Sequence, residues 1–123
     1  MNTSNKYFGT PTFDKVRNKL IEVARNRRTV SYKEIAKVME LSPWGDYMSK
    51  ETGRILREIC DHEHEQGRPM LTAVAMGVSL DLPGEDFFTM AEKFGKFTGS
   101  RWDKEAFWDR ELRSVYAAWA SLI

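Results

Sequence analysis

Residues 31–59 read SYKEIAKVMELSPWGDYMSKETGRILREI, and the reading of this stretch decides the fold. Ser31 and Glu34 have the spacing of a capping box, and Val30 and Ile35 bracket the cap as a hydrophobic staple, so a helix has a fixed starting point. Ile35, Ala36, Val38 and Met39 give it a short apolar face, and Ser42, Pro43 and Gly45 stop it within about three turns. Trp44 and Tyr47 stand in the loop that follows. A further helix is expected from around Ser49, with Thr52, Leu56, Ile59 and Cys60 on one side and Gly67 at its C′ position. Two capped helices joined by a short turn make a helix-turn-helix unit. The second helix carries Lys50, Arg54 and Arg57 at i, i+4 and i+7, so these cations share one face within about 40°.

Upstream, Phe13, Val16, Leu20, Ile21 and Ala24 recur at helical spacing, with Thr12 as the expected N-cap and an end near Arg27. The other face of this helix holds Lys15, Arg17, Lys19, Arg25, Arg27 and Arg28. Residues 1–12, MNTSNKYFGTPT, read as a loosely held arm, and residues 13–123 as one domain. Downstream, RPMLTAVAMGVSLDLPG is almost uncharged and bounded by Pro83-Gly84, which predicts a strand and return segment. EDFFTMAEKFG then predicts a short helix closed by Gly95. Asp103 caps a last helix, in which Trp108, Leu112, Val115 and Trp119 form one apolar stripe. The fold class expected is mostly α with a small β wing: a winged helix-turn-helix with an extra C-terminal helix.

Composition narrows the classes. The chain has 123 residues, 41% apolar and 30% charged, which suits one soluble globular core rather than a disordered segment. The single cysteine, Cys60, forms no internal disulfide, and no basic-then-apolar leader or run of about eighteen apolar residues appears. A cytoplasmic protein with no membrane partner is expected. The net charge of +1 conceals a polarity: residues 1–57 hold twelve Lys/Arg against six Asp/Glu, and residues 58–123 hold seven against twelve. That split suits a protein that turns one face to nucleic acid, and equally a homo-oligomer or an acidic/basic protein pair.

From about Thr29 to Phe94, roughly half of the chain, the sequence resembles the DNA-binding domain of O6-alkylguanine-DNA alkyltransferases and the alkyltransferase-like proteins. VSYKEIA resembles that family's TTYGEIA, KETGRIL resembles RAVGGAL, RPMLTAVAM falls where the family has PILIPCHRVV, and LPGEDFFTMAEKF falls at its Gly-bearing turn and closing helix. The resemblance implies that Tyr32 sits by the DNA backbone, that Gly53 permits close packing in the recognition helix, and that Lys50 replaces the arginine that fills the space of a flipped base. Lys for Arg exchanges a planar stacking group for a point charge. The family's Cys-His pair falls on Val74 and Ala75, so the alkyl acceptor and its activating imidazole are absent. Cys60 shares a face with Leu56 and Ile59, where burial raises its pKa and leaves it inert.

The function these features predict is non-catalytic DNA binding, duplex favoured, with Arg27, Arg28, Tyr32 and Lys33 on backbone phosphate and Lys50, Arg54 and Arg57 docking the second helix of the motif. The alternative is a protein-protein interaction or oligomerisation module of a multi-component bacterial or phage system. A blander account of the stripe also stands, in which neighbouring Glu51, Glu58 and Asp61 pair off its cations. The run DHEHE, Asp61 to Glu65, invites a metal or acid-base proposal with Asp81 or Glu85. His62 and His64 are two apart, however, and point nearly opposite ways on a helix, whereas zinc helices use i, i+4. No metal, cofactor or catalytic group is predicted.

Overall fold

A computed structural model describes residues 5–77, 82–98 and 103–120. In chain order the elements are α1 (Pro11–Arg25), β1 (Val30–Ser31), α2 (Tyr32–Val38), α3 (Gly45–Glu65), a 3-10 turn (Leu71–Val74), β2 (Ala75–Met76), α4 (Glu85–Lys93) and α5 (Lys104–Ala120). The molecule is mostly helical with one small parallel sheet, in which Val30 pairs with Ala75 and Ser31 with Met76.

The helix boundaries follow local chemistry. Helix α1 begins at Pro11 rather than beside Thr12, because Pro suits the first helical position and Thr10 supplies the cap: its Oγ1 accepts the Phe13 N–H at 3.2 Å. Helix α2 starts where the capping box places it, with the Glu34 N–H donating to Ser31 Oγ at 3.2 Å. Helix α3 starts at Gly45, a turn earlier than expected from Ser49, so Tyr47 is a helical residue and not part of the loop. Gly67 takes a φ of +71° beyond its end, the expected left-handed C′.

The uncharged run 68–84 also differs from the expected strand and return. Its first half is the 3-10 turn, and its strand is two residues long and pairs with the residues just before α2, across more than forty residues of chain. The Gly77 N–H donates to the Leu82 carbonyl at 3.0 Å and closes the loop, whose residues 78–81 lie outside the described residues, as does Trp102.

One contiguous core joins every helix. Leu20, Ile35, Ile55, Ile59, Leu71, Val74 and Val115 are fully enclosed, each contributing about 1.5–3 kcal/mol by its removal from water. The stripe of α5 packs as expected: Leu112, Val115 and Trp119 are buried, and Trp108 is half-buried with its Nε1–H donating to the Ala73 carbonyl at 2.9 Å. This helix lies against α1 and the 3-10 turn, while α4 lies against α3.

The N-terminal arm is the largest departure from expectation. Residues 6–8 are held on α3 by three successive backbone N–H groups, of Lys6, Tyr7 and Phe8, which donate to the Glu58 carboxylate at 2.9, 2.9 and 2.8 Å. The Lys6 ammonium lies 2.5 Å from Glu51 Oε1, and the Tyr7 hydroxyl donates to that same oxygen. Two acidic residues of α3 thus fix a segment whose polar composition alone predicts looseness.

Candidate nucleic-acid interface

The residues expected to face a phosphate backbone do not share one environment. Tyr32, the first residue of α2, is 8% exposed rather than open at the surface. Its ring sits among Leu56, Cys60, Thr72, Phe87 and Met90, and its oxygen takes a hydrogen bond from the Gly84 backbone. Burial and the nearby Asp86 carboxylate push its hydroxyl up to about 12. It is a packing residue that ties α2 to the start of α4. Burial likewise pushes the Cys60 thiol up to about 12, against a Thr72 hydroxyl 2.8 Å away, which is the inert environment expected of it.

The stripe on α3 is largely claimed by carboxylates. The Arg57 guanidinium meets Asp86 of α4 at 2.8 Å, and Arg54 lies 3.6 Å from Glu58 one turn along. Gly53 is what lets Asp86 come so close: a Cβ there would lie 2.4 Å from the Asp86 carboxylate. Gly53 thus makes room for the chain's own α4. Lys50 is exposed, in a shallow depression of about 510 Å³ that it shares with Asp46, Ser49, Arg57 and Asp86.

A second group of cations has no carboxylate within ion-pair distance among the described residues. Arg25, Arg27 and Arg28 close α1, Lys33 and Lys37 stand one turn apart on α2, and Lys50 lies in the second turn of α3; all are exposed, as are Lys15 and Arg110 elsewhere. The Lys33 ammonium lies 4.3 Å above the Trp44 ring, within cation–π range. Trp44 is 68% exposed and Tyr47 63%, far more than any other tryptophan or tyrosine described. Arg27 holds a φ of +52°, and the N–H groups of Arg27 and Arg28 return to the Ala24 and Val23 carbonyls at 3.0 Å each. This is a Schellman closure with arginine where glycine is the cheap choice, at a cost of about 1 kcal/mol. Tyr116 of α5 braces the same corner: its hydroxyl donates to the Arg28 carbonyl at 2.9 Å, and its ring lies 6.0 Å from the Arg27 guanidinium.

The DHEHE run is divided among three neighbours. His62 packs edgewise on Phe13 and beside Phe8, and His64 stacks on Phe94 with ring centroids 3.9 Å apart. Glu63 is fully buried and receives Arg17 at 2.7 Å and Arg68 at 2.6 Å. Its burial alone would raise the carboxyl, but the two guanidinium hydrogen bonds outweigh that and hold it below the usual glutamate range. Glu85 is exposed and pairs with Lys104 at 2.8 Å, and Asp81 lies outside the described residues. No group of three metal-ligating side chains forms among the described residues.

Sequence reasoning missed Lys37, whose i, i+4 spacing from Lys33 could have revealed it, and missed the arm, Asp86 and Glu63, for which only three-dimensional contact gives a signal. Val74 and Ala75 are buried and apolar. No helix among the described residues is long and apolar enough to cross a membrane. No protein-family model, curated protein or solved structure matches this chain.

Proposed function

We propose that this chain binds nucleic acid without chemistry of its own, as a winged helix-turn-helix of the alkyltransferase-like kind that lacks the acceptor cysteine. The observation that carries the reading is that Arg25, Arg27 and Arg28 at the end of α1, Lys33 and Lys37 on α2 and Lys50 in the second turn of α3 are exposed with no carboxylate within ion-pair distance among the described residues, a property that Lys15 and Arg110 share elsewhere on the chain. The left-handed conformation of Arg27 closes α1 in the same way that Glu40, at a φ of +62°, closes α2, and it adds nothing to the reading. Within this reading the contact surface lies at the α2–α3 turn and the α1 corner. Arg54 and Arg57 contribute less, and Tyr32 acts from inside by fixing α2.

Polyanion binding by some six cations should weaken steeply with salt, log affinity falling linearly with log salt concentration. The test is a titration of a labelled DNA duplex at several salt concentrations with the native chain and with the triple variant Lys33→Glu, Lys37→Glu, Lys50→Glu. Affinity at low salt that disappears in the variant supports the reading, and an absence of binding by the native chain to any nucleic acid at low salt ends it.

A second reading rests on the same turn. Exposed Trp and Tyr are the residue types that anchor protein interfaces, so Trp44 and Tyr47 also fit a protein partner with an acidic rim or a second copy of the chain. Sedimentation equilibrium with and without DNA separates the two.

A further inference from the structure

The α2–α3 turn has an organisation that a simple cationic patch does not need. Trp44 immediately precedes α3 and Tyr47 lies in its first turn, one turn further on; Lys50 follows at the next i+3 step. The rings are 68% and 63% exposed. The Lys33 ammonium lies 4.3 Å from the indole centroid, and the rest of the ring is open to solvent.

The flanks of α3 are occupied. On one side the arm is bound through Glu51 and Glu58, and on the other Asp86 of α4 reaches Arg57. A helix laid into the major groove of a duplex must bring its flanks near the phosphates. Here the flanks are the chain's own elements and their carboxylates, with Asp61 further along the same face paired to Lys93 at 3.2 Å. Paired bases, moreover, hide their faces in the helical stack, so exposed indole and phenol rings gain nothing from a duplex. Unpaired bases offer those faces, and stacking on an aromatic ring is tolerant of sequence.

We infer that the ligand of this surface is an unpaired nucleic-acid strand, whose bases stack on Trp44 and Tyr47 while Lys33, Lys37 and Lys50 meet its phosphates. The inference rests on the nucleic-acid reading above and specifies its substrate. The same segment also exposes Glu34, Glu40 and Asp46, so the strand is held through the two rings and the three lysines individually rather than by a net positive field. The Lys33–Trp44 contact also prepares the ring, because a cation already seated on one face lowers the cost of bringing a polyanion to the other.

The test compares fluorescence anisotropy of a labelled oligothymidylate of roughly a dozen nucleotides, within the span of known single-strand sites, with that of a mixed-sequence duplex of equal length at low salt. The single strand should bind at least about tenfold more tightly. Trp44→Ala should weaken single-strand binding about tenfold and leave duplex binding unchanged, with Trp44→Phe retaining most of the affinity. Both variants replace an exposed side chain, and circular dichroism checks their folding. Duplex binding as tight as single-strand binding, with Trp44→Ala neutral, overturns this inference and leaves the nucleic-acid reading standing. No binding to either ligand overturns both. Loss of a self-association in Trp44→Ala with no change in nucleic-acid affinity overturns the inference in favour of a protein contact.

Discussion

The body of α3 and the turn that leads into it lie a few residues apart and handle charge in opposite ways. From Glu51 onward, five of the seven acidic and basic side chains on α3 have a partner from another element: Glu51 and Glu58 hold the arm, Arg57 meets α4, Asp61 meets Lys93, and Glu63 receives two arginines. Across the turn, Lys33 lies over the exposed Trp44 ring, and Lys33, Lys37 and Lys50 form no ion pair among the described residues although Glu34, Glu40 and Asp46 are exposed on the same segment. The first region spends its charges on assembling the molecule. The second keeps its charges available, and that contrast makes the turn the better candidate for contact with a polyanion than the arginine stripe.

The contrast should be largest in stability at Glu63. This carboxylate is wholly buried between Arg17 and Arg68, and both guanidinium groups also flank the Trp119 ring, at 5.6 and 5.8 Å. Glu63→Ala leaves two part-buried cations facing each other and should cost about 3 kcal/mol in urea unfolding. Lys33→Ala and Lys50→Ala, by comparison, should change stability by less than about 0.5 kcal/mol. Equal effects at the two sites would erase the distinction between assembling and available charge.

Glu58→Ala comes next. It removes the acceptor of three backbone N–H groups, and docking of the arm should weaken by about 2 kcal/mol, read as faster amide hydrogen exchange at Lys6, Tyr7 and Phe8. Acid should act in the same direction. The Lys6 and Tyr7 hydrogen bonds hold the Glu51 carboxyl below its usual range, and Glu63 is lowered as well. Each folded value lies below the unfolded one, so the stability these groups add is complete above pH about 4.5 and is lost as pH falls through their folded values. At the alkaline end the sign reverses: Tyr32, pushed up to about 12 by burial, adds stability that is complete below about pH 10 and is lost as pH rises toward 12. A stability profile flat from pH 2 to 5 would contradict the arrangement of the α3 carboxylates.

These sites also mark what could be read from the residues alone. The Ser31–Glu34 box, the α5 stripe and the inert setting of Cys60 were legible, because each depends on neighbours within a turn or two along the chain or on simple burial. The parallel pairing of Val30 with Ala75, the docking of Lys6–Phe8 on Glu58 and the approach of Asp86 to Gly53 were not, since each joins segments about thirty to fifty residues apart through a two-residue ladder or a single side chain. The cations of the candidate site could be named from the sequence. Which of them are paired depended on where α4 brings Asp86 to Arg57 and on the turn that sets Glu58 beside Arg54.

Arg27 offers a smaller effect with two opposite readouts. Arg27→Gly should stabilise the chain by about 1 kcal/mol, because glycine occupies a φ of +52° without the Cβ penalty. The same change should reduce the salt slope of nucleic-acid binding by about one unit if the guanidinium meets a phosphate. Stabilisation with an unaltered slope would show that the residue is merely tolerated at that corner and would remove it from the interface.

The smallest effect is the one that separates the two regions most directly. Arg57 and Lys50 lie two turns apart on α3, line the same depression and carry the same formal charge, yet only Arg57 has a carboxylate within ion-pair distance, Asp86 at 2.8 Å. Both partners of that pair are roughly two-fifths exposed, so its contribution to stability is screened and Arg57→Gln should cost about 0.5 kcal/mol or less. Its contribution to binding should be small too, because a cation already neutralised by Asp86 releases few counterions when a phosphate arrives. Lys50→Gln should therefore lower the salt slope by about one unit while Arg57→Gln leaves it nearly unchanged. The double variant Asp86→Asn with Lys50→Gln sharpens the comparison: freeing Arg57 from its carboxylate should restore part of the slope that the loss of Lys50 removes. Equal slopes for Lys50→Gln and Arg57→Gln would mean that the ion pair opens to admit the ligand, and the interface would then extend down α3 to the arginine stripe.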